Sequence, residues 1–462
     1  MSDHTERNGA NNERPEDELR RLLEQLLGGG SAMPDGIDMS QLAAAAGLPT
    51  DQGSLTQFLS QLQQSMHAST EGIDWNLVRD AAKRAAVGNS EVDASQRQEF
   101  DQAFTLAQLW LGEVTSVGDL TETGRTLTRH EWIVQTLPAW QEMCDPVGRR
   151  ISDALVNTLT EQTPEQLRDM VSRSSGMVRS MGHSMFAMQM GQTIGKLAEV
   201  VLAGGDIGMP VLPHGRAALV PQNVIAWAEG LEVPQQEVVL WCAIREVAHA
   251  QLFQHAKWLR LHLETSIAEF AAGISIDTDR IEQTVRELDI SDPTEIRQVL
   301  ASGELIPPRT AEQQEALDRL ETMVALIEGW VDVVTSEATR RLPHAEAIAE
   351  MMRRRRATGS PAERAFGALV GLEIRPRRLR EAAAMWRTVS ERLGADVRDS
   401  LWDHRDALPD ANDIDSPDAL VDRLAGAEHE RPMDELDSDL QRLLDDPDAF
   451  GDAPSDGGLP RD

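Results

Sequence analysis

Between Gly72 and about Leu401, apolar residues return at three- and four-residue spacing with few interruptions. That period lines up one face of an α-helix, whereas a strand needs alternation at period two. The segments 98–112, 150–172, 177–203, 234–262, 311–342 and 377–393 all carry it. Alternating Val/Ile/Thr runs are scarce and aromatic residues make up only 4% of the chain, so a sheet has little to build on. The one strand expected is 217–220, just before Pro221. The fold class that follows is all-α, a multi-helix globular core.

Flexible acidic arms are expected on both sides of that core. Residues 1–72 are polar and Gly/Ser/Asn-rich, 73–404 form the expected helical domain, and 405–462 form an acidic tail. From Asp403 onward there are 19 acidic against 5 basic residues, within a chain of net charge −33. Such a chain repels phosphate backbones, which disfavours nucleic acid as a partner. No run of 18 apolar residues is present, so no membrane span is expected. Residues 1–12 lack the pattern of a secretory signal, and the only cysteines are Cys144 and Cys242. Both features point to the cytoplasm. Each arm repeats one leucine pattern, Leu19, Leu23, Leu26 and Leu27 matching Leu436, Leu440, Leu443 and Leu444. These short amphipathic segments either dock a peptide or protein partner or pack on the core.

The helix expected after Pro234 carries the chemistry. Its apolar stripe runs through Val238, Trp241 and Cys242, then meets Arg245 and His249 before resuming at Leu252, Ala256 and Leu259. Arg245-Glu246-Val247-Ala248-His249 is the zinc-protease pattern His-Glu-x-x-His with arginine in place of the first histidine. In the intact pattern the two histidines bind Zn²⁺ and the Glu between them activates a water. A guanidinium has no lone pair to give a metal. Glu246 and Arg245 are therefore the candidate catalytic groups, and His249 a candidate metal ligand.

A later helix supplies acids. Glu328 interrupts the stripe Leu317, Leu320, Val324, Ile327 and Val331, and Asp332 stands one turn on. That is the arrangement of a third zinc ligand, Glu328, with Asp332 as an outer partner of a ligating histidine. Zinc needs one ligand more, for which His183, on the Met-rich helix 177–203, is the candidate, with His214 and His255 behind it. Glu246, His249, Glu328 and Asp332 are expected to converge in one pocket. A metal-free arrangement competes with this one, in which Arg245 pairs with Glu328, Asp332 or Glu246. The run Arg353–Arg356 reads as a solvated loop paired with the protein's own acids. Gly204-Gly205-Asp206-Ile207-Gly208 is too short for a dinucleotide loop and no strand precedes it.

Several blocks resemble the actinobacterial zincin-like metallopeptidase family: 191–197 with Asp206-Ile207-Gly208-Met209-Pro210, then 220–224, 245–253, Glu328-Gly329-Trp330-Val331-Asp332, and 371–377. Together they span about residues 75–400 in order. The resemblance implies a mainly helical zinc-dependent peptidase. By position it makes Glu246 the general base, with His249 and Glu328 as zinc ligands, while Arg245 departs from the intact motif. The expected function is a zinc metallopeptidase or related hydrolase with a degenerate motif. The alternatives are a catalytically inactive pseudo-peptidase acting as an interaction scaffold, and a small-molecule binding module.

Overall fold

The computed structural model describes residues 72–161, 168–272, 310–357 and 378–429. The leucine segments of the two arms and the block 371–377 lie outside these residues.

Thirteen α-helices run through the described chain, and their ends follow from local chemistry. Helix α1 (Trp75–Ala85) starts at Asp74, whose carboxylate accepts the backbone N–H groups of Asn76 and Leu77. Helix α2 (Ala94–Leu111) opens with a capping box, Asp93 and Gln96 each bonding the other's backbone N–H. Helices α3 (Arg129–Glu161) and α4 (Arg168–Ala198) follow, then α5 (Pro221–Glu229), with proline at its tolerant first position. Helix α6 (Gln235–His255) begins directly after Pro234. The chain breaks at Ala256 before α7 (Lys257–Ala272), where the apolar period had suggested one helix to 262. Periodicity missed the break because the stripe continues through both helices while the backbone at Ala256 leaves the helical region.

Helix α8 (Ala311–Ala338) has a second capping box at Thr310 and Gln313. After it come α9 (Ala345–Ala357), α10 (Leu379–Leu393), α11 (Ala395–Ser400), α12 (Ala411–Asp415) and α13 (Pro417–His429). The all-α expectation holds, with one small exception. Strand β2 (Ala218–Leu219) falls inside the expected 217–220 and pairs in parallel with β1 (Arg125–Thr126). The partner strand had no legible pattern because two residues are too few for alternation to register.

Helix α6 runs through the centre, packed against α2, α5, α8 and α9, and 14 of its residues are buried on all sides. A helix that is apolar all round belongs in an interior. Helix α8 packs on α6, α7 and α10, and its Gly329 lets α10 come close. A Cβ there would lie 2.8 Å from the backbone nitrogen of Ala383, so any larger residue separates the two helices.

A polar knot holds the far side of the core. Asp399, 2% exposed, accepts from the Thr115 hydroxyl at 2.6 Å, from the Ser116 N–H at 2.8 Å and from the Trp330 indole at 2.9 Å. It also pairs with the fully buried Arg398 at 2.6 Å. Trp402 stacks on Trp386 at 5.6 Å and meets Trp330 edge-on at 6.5 Å above this knot. Asp399→Ala should cost about 3–5 kcal/mol, because it leaves a buried guanidinium short of its counter-charge. Urea unfolding of the variant against wild type measures the loss; a cost under about 1 kcal/mol would mean the knot is structurally dispensable.

Candidate functional site

Helix α6 presents Arg245, Glu246 and His249 within one turn, and each takes a different role. Glu246 is 3% exposed. Its Oε2 accepts the Gly205 N–H at 2.9 Å and its Oε1 the Ala218 N–H at 3.0 Å. Gly205 lies in the loop after α4 and Ala218 in β2, so one carboxylate fastens both segments to α6. The loop runs beside β2, joined to it by Gly204 N–H to Ala218 C=O at 2.9 Å and Val220 N–H to Leu202 C=O at 2.9 Å. Burial pushes the Glu246 carboxyl up to about 8, against the pull of its two backbone donors.

His249 is buried beside Phe253, with ring centroids 4.9 Å apart, and its Nε2 has no hydrogen-bond partner among the described residues. Burial drives this imidazole down to about 4; Glu328 opposes the shift, while Arg245 and Arg356 add to it. The ring is therefore neutral at physiological pH.

Glu328, 3% exposed, reaches in from α8. Its Oε2 is gripped by two guanidiniums, Arg245 from α6 and Arg356 from α9. Burial alone would raise this carboxyl; the two cations outweigh burial and hold it below the usual carboxylate range. Its Oε1 has no partner among the described residues. A third arginine, Arg355, donates to both oxygens of the buried Asp206 at 3.0 and 3.1 Å, and Asp206 in turn accepts the Leu202 N–H at 3.0 Å.

The glycines of the 204–208 loop explain how three side chains fit beneath it. A Cβ on Gly205 would stand 2.3 Å from the His249 Nδ1. Gly208 has φ +76° and lies over Glu328, where a Cβ would come within 3.4 Å of Oε1. Leu202, Asp206, Cys242, Arg245, Glu246 and His249 line a small cleft beside the loop, with Met352 closing one wall. Burial raises the Cys242 thiol, so it offers no nucleophile there.

Residues 73–421 match the profile of the zincin-like metallopeptidase family. The chain belongs to that family. A crystal structure from Chloroflexus aurantiacus, of a protein provisionally assigned as a hydrolase with a novel fold, shares this zincin-like chain's architecture. Its TM-score is 0.53 at 20% identity, covering 76% of this chain and 99% of that one. No curated protein matches the chain.

The family name raises the question of zinc, and the donor set answers it poorly. In favour, the His249 Nε2 and the Glu328 Oε1 are both buried and unpaired. Against, Arg245 occupies the first-ligand position, and Glu328 is already shared by two cations. Glu246 spends both oxygens on backbone donors. Among the described residues no three His, Cys, Asp or Glu side chains come together to hold a metal. Adding a divalent ion to three guanidiniums facing two carboxylates would leave a large uncompensated positive charge in a buried place. The residues present do not fit a catalytic zinc.

The other candidates do not line the cleft, although Asp332 adds its charge to those acting on Arg356. Asp332 has Arg353 as its partner at 3.8 Å. His183 is buried on α4 and does not line the cleft. His214 sits in a one-turn 3-10 helix (Pro213–Gly215) with φ +58°, and His255 pairs with Asp403 at 2.7 Å. The sequence reading missed Asp206, Arg355, Arg356 and the glycine loop. The run Arg353–Arg356 is helical, not a loop. Its pairing with the protein's own acids holds: Arg353 and Arg354 meet Glu350 near the surface, while Arg355 and Arg356 turn inward. A signal was present in the family-like block 206–210, which includes the Asp206 that Arg355 engages.

Glu246→Ala should cost about 2–5 kcal/mol, since two buried N–H donors lose their acceptor, and Glu246→Gln about half as much because its amide oxygen keeps one. Denaturant midpoints of the two variants test the order. The pH dependence separates the groups further. Glu246 holds its proton more tightly folded than unfolded, so its contribution is full below about pH 4.5 and lost as pH rises through about 8. His249 contributes above about pH 6.5 and loses that contribution as pH falls towards about 4. Wild type should therefore lose thermal stability between about pH 6.5 and 8, and Glu246→Gln should flatten that decline. An unchanged slope in the variant would show that Glu246 does not titrate there.

Proposed function

We propose that this zincin-like chain is a pseudo-peptidase, a helical scaffold whose hydrolase-type centre is held closed by charge pairing and which acts by binding a peptide or protein. The observation that carries this reading is the Glu328 Oε2 shared by Arg245 and Arg356. A carboxylate so paired has little to offer a metal, and the guanidinium at position 245 offers nothing. Glu246 acts as a buried anchor for the glycine loop and β2, both its oxygens being engaged. A net charge of −33 favours a basic peptide or protein over nucleic acid as partner.

A second reading, a zinc-dependent hydrolase, has its own support in the family and in the two open atoms, His249 Nε2 and Glu328 Oε1. In that reading zinc supplies a Lewis acid and an activated water. Elemental analysis separates the two. On the pseudo-peptidase reading, full-length wild type dialysed against zinc retains no stoichiometric metal, and its melting temperature is unchanged by chelator. One tightly held zinc per chain, lost in His249→Ala, would sink the pseudo-peptidase reading and put the hydrolase in its place.

A further inference from the structure

The geometry points to Arg356 as the second half of a built-in cation: Arg245 and Arg356 together supply on Glu328 the two positive charges that a zincin-type centre takes from its metal. The inference rests on the metal-free reading above and deepens it, because it makes helix α9 part of the site.

Three observations converge on Arg356. Its guanidinium shares one oxygen, Glu328 Oε2, with Arg245, although the two arrive from different helices. It is buried in the way a site residue is: its side chain is 13% exposed, against 68% for Arg354 two residues earlier, which pairs with Glu350 on its own helix. It also spans the two acids of the site, lying 3.9 Å from Asp206 as well as on Glu328. The neighbouring Arg355 neutralises Asp206 at 3.0 Å, so Arg356 remains available to Glu328.

Charge arithmetic then separates two models. If Arg245 alone stood for the metal, Arg245→His would recreate two imidazoles one helical turn apart beside Glu328 and so a three-ligand zinc set. With Arg356 still on Glu328, the incoming ion meets a fixed guanidinium and a carboxylate already engaged. A zinc site therefore requires both arginines to be removed. Helix α9 also packs against α6 and α8 and buries its own Ile348 and Met352, so Arg356 is delivered by a docked element and not by a loose tail. Arg356 is a positioning residue, acting on the site through Glu328.

The experiment compares full-length wild type, Arg245→His, Arg356→Met and the double variant Arg245→His/Arg356→Met, each titrated with zinc in competition with a chelating dye. The expected result is no tight binding by wild type, Arg356→Met or Arg245→His. The double variant should bind at least about 100-fold more tightly than Arg245→His, at the upper end of what outer partners contribute at metal sites. Equal affinity in Arg245→His and the double variant would overturn the role of Arg356 while leaving the metal-free reading of wild type intact. Tight zinc in wild type would overturn that reading itself. Stability provides the independent readout. Arg356→Met should lower the melting temperature in chelator, whereas the same change in a Glu328→Gln background should raise it, because there Arg356 has lost its carboxylate and faces Arg245 unopposed. If Arg356→Met fails to accumulate as folded protein, the comparison of Glu328→Gln with Glu328→Gln/Arg356→Met is the measure. An equal effect of removing Arg356 in both backgrounds overturns the pairing.

Discussion

A carboxylate placed inside a helical core has to be compensated, and Glu328 is such a group. It sits on α8 at 3% exposure, on a helix whose Val324, Ile327 and Val331 are buried as well. Taking an isolated carboxylate out of water costs several kcal/mol, and only well-placed cations return it. Here the return comes from α6 through Arg245 and from α9 through Arg356. Three helices are therefore held in register by one buried charge. The orientation of α9 is tied to the same requirement, because its last turn must deliver Arg355 to Asp206 and Arg356 to Glu328.

Around that pairing the protein places groups that hold the loop and strand. Glu246 fastens the glycine loop and β2 to α6 through two backbone donors. The glycines at 205 and 208 let the loop lie directly on His249 and Glu328, where any Cβ would press on a side chain. The result is a site that is closely packed and electrostatically nearly balanced, with polar valence left on His249 Nε2, Glu328 Oε1 and Arg356 Nε. The two cations on Glu328 are side chains of the protein itself.

Balance also explains why the residues of the motif behave unlike their counterparts in an intact His-Glu-x-x-His site. A general base must be free to take a proton from water, and both Glu246 oxygens are engaged by backbone N–H groups. A ligating histidine is usually oriented by an outer carboxylate. Asp332, the residue at the right spacing for that task, faces Arg353 at 3.8 Å.

The all-α class, the central helix after Pro234, and the need of Arg245 for an acidic partner among Glu328, Asp332 and Glu246 could be read from the chain because they follow from local period. A polar residue on an apolar stripe must be buried, and a buried polar residue must have a partner. Which partner was a different matter. Arg356 and Glu328 are 28 positions apart and belong to different helices, and nothing in a run of four arginines distinguishes the two that turn inward from those that meet solvent. The strand at Arg125, the helix break at Ala256 and the covering of His249 by Gly205 were equally invisible, since each depends on a contact between segments distant in sequence. Periodicity records which face of an element is buried; the packing of α6, α8 and α9 against one another chose which charges meet there, because a buried charge is satisfied by whatever cation the assembled helices bring within reach.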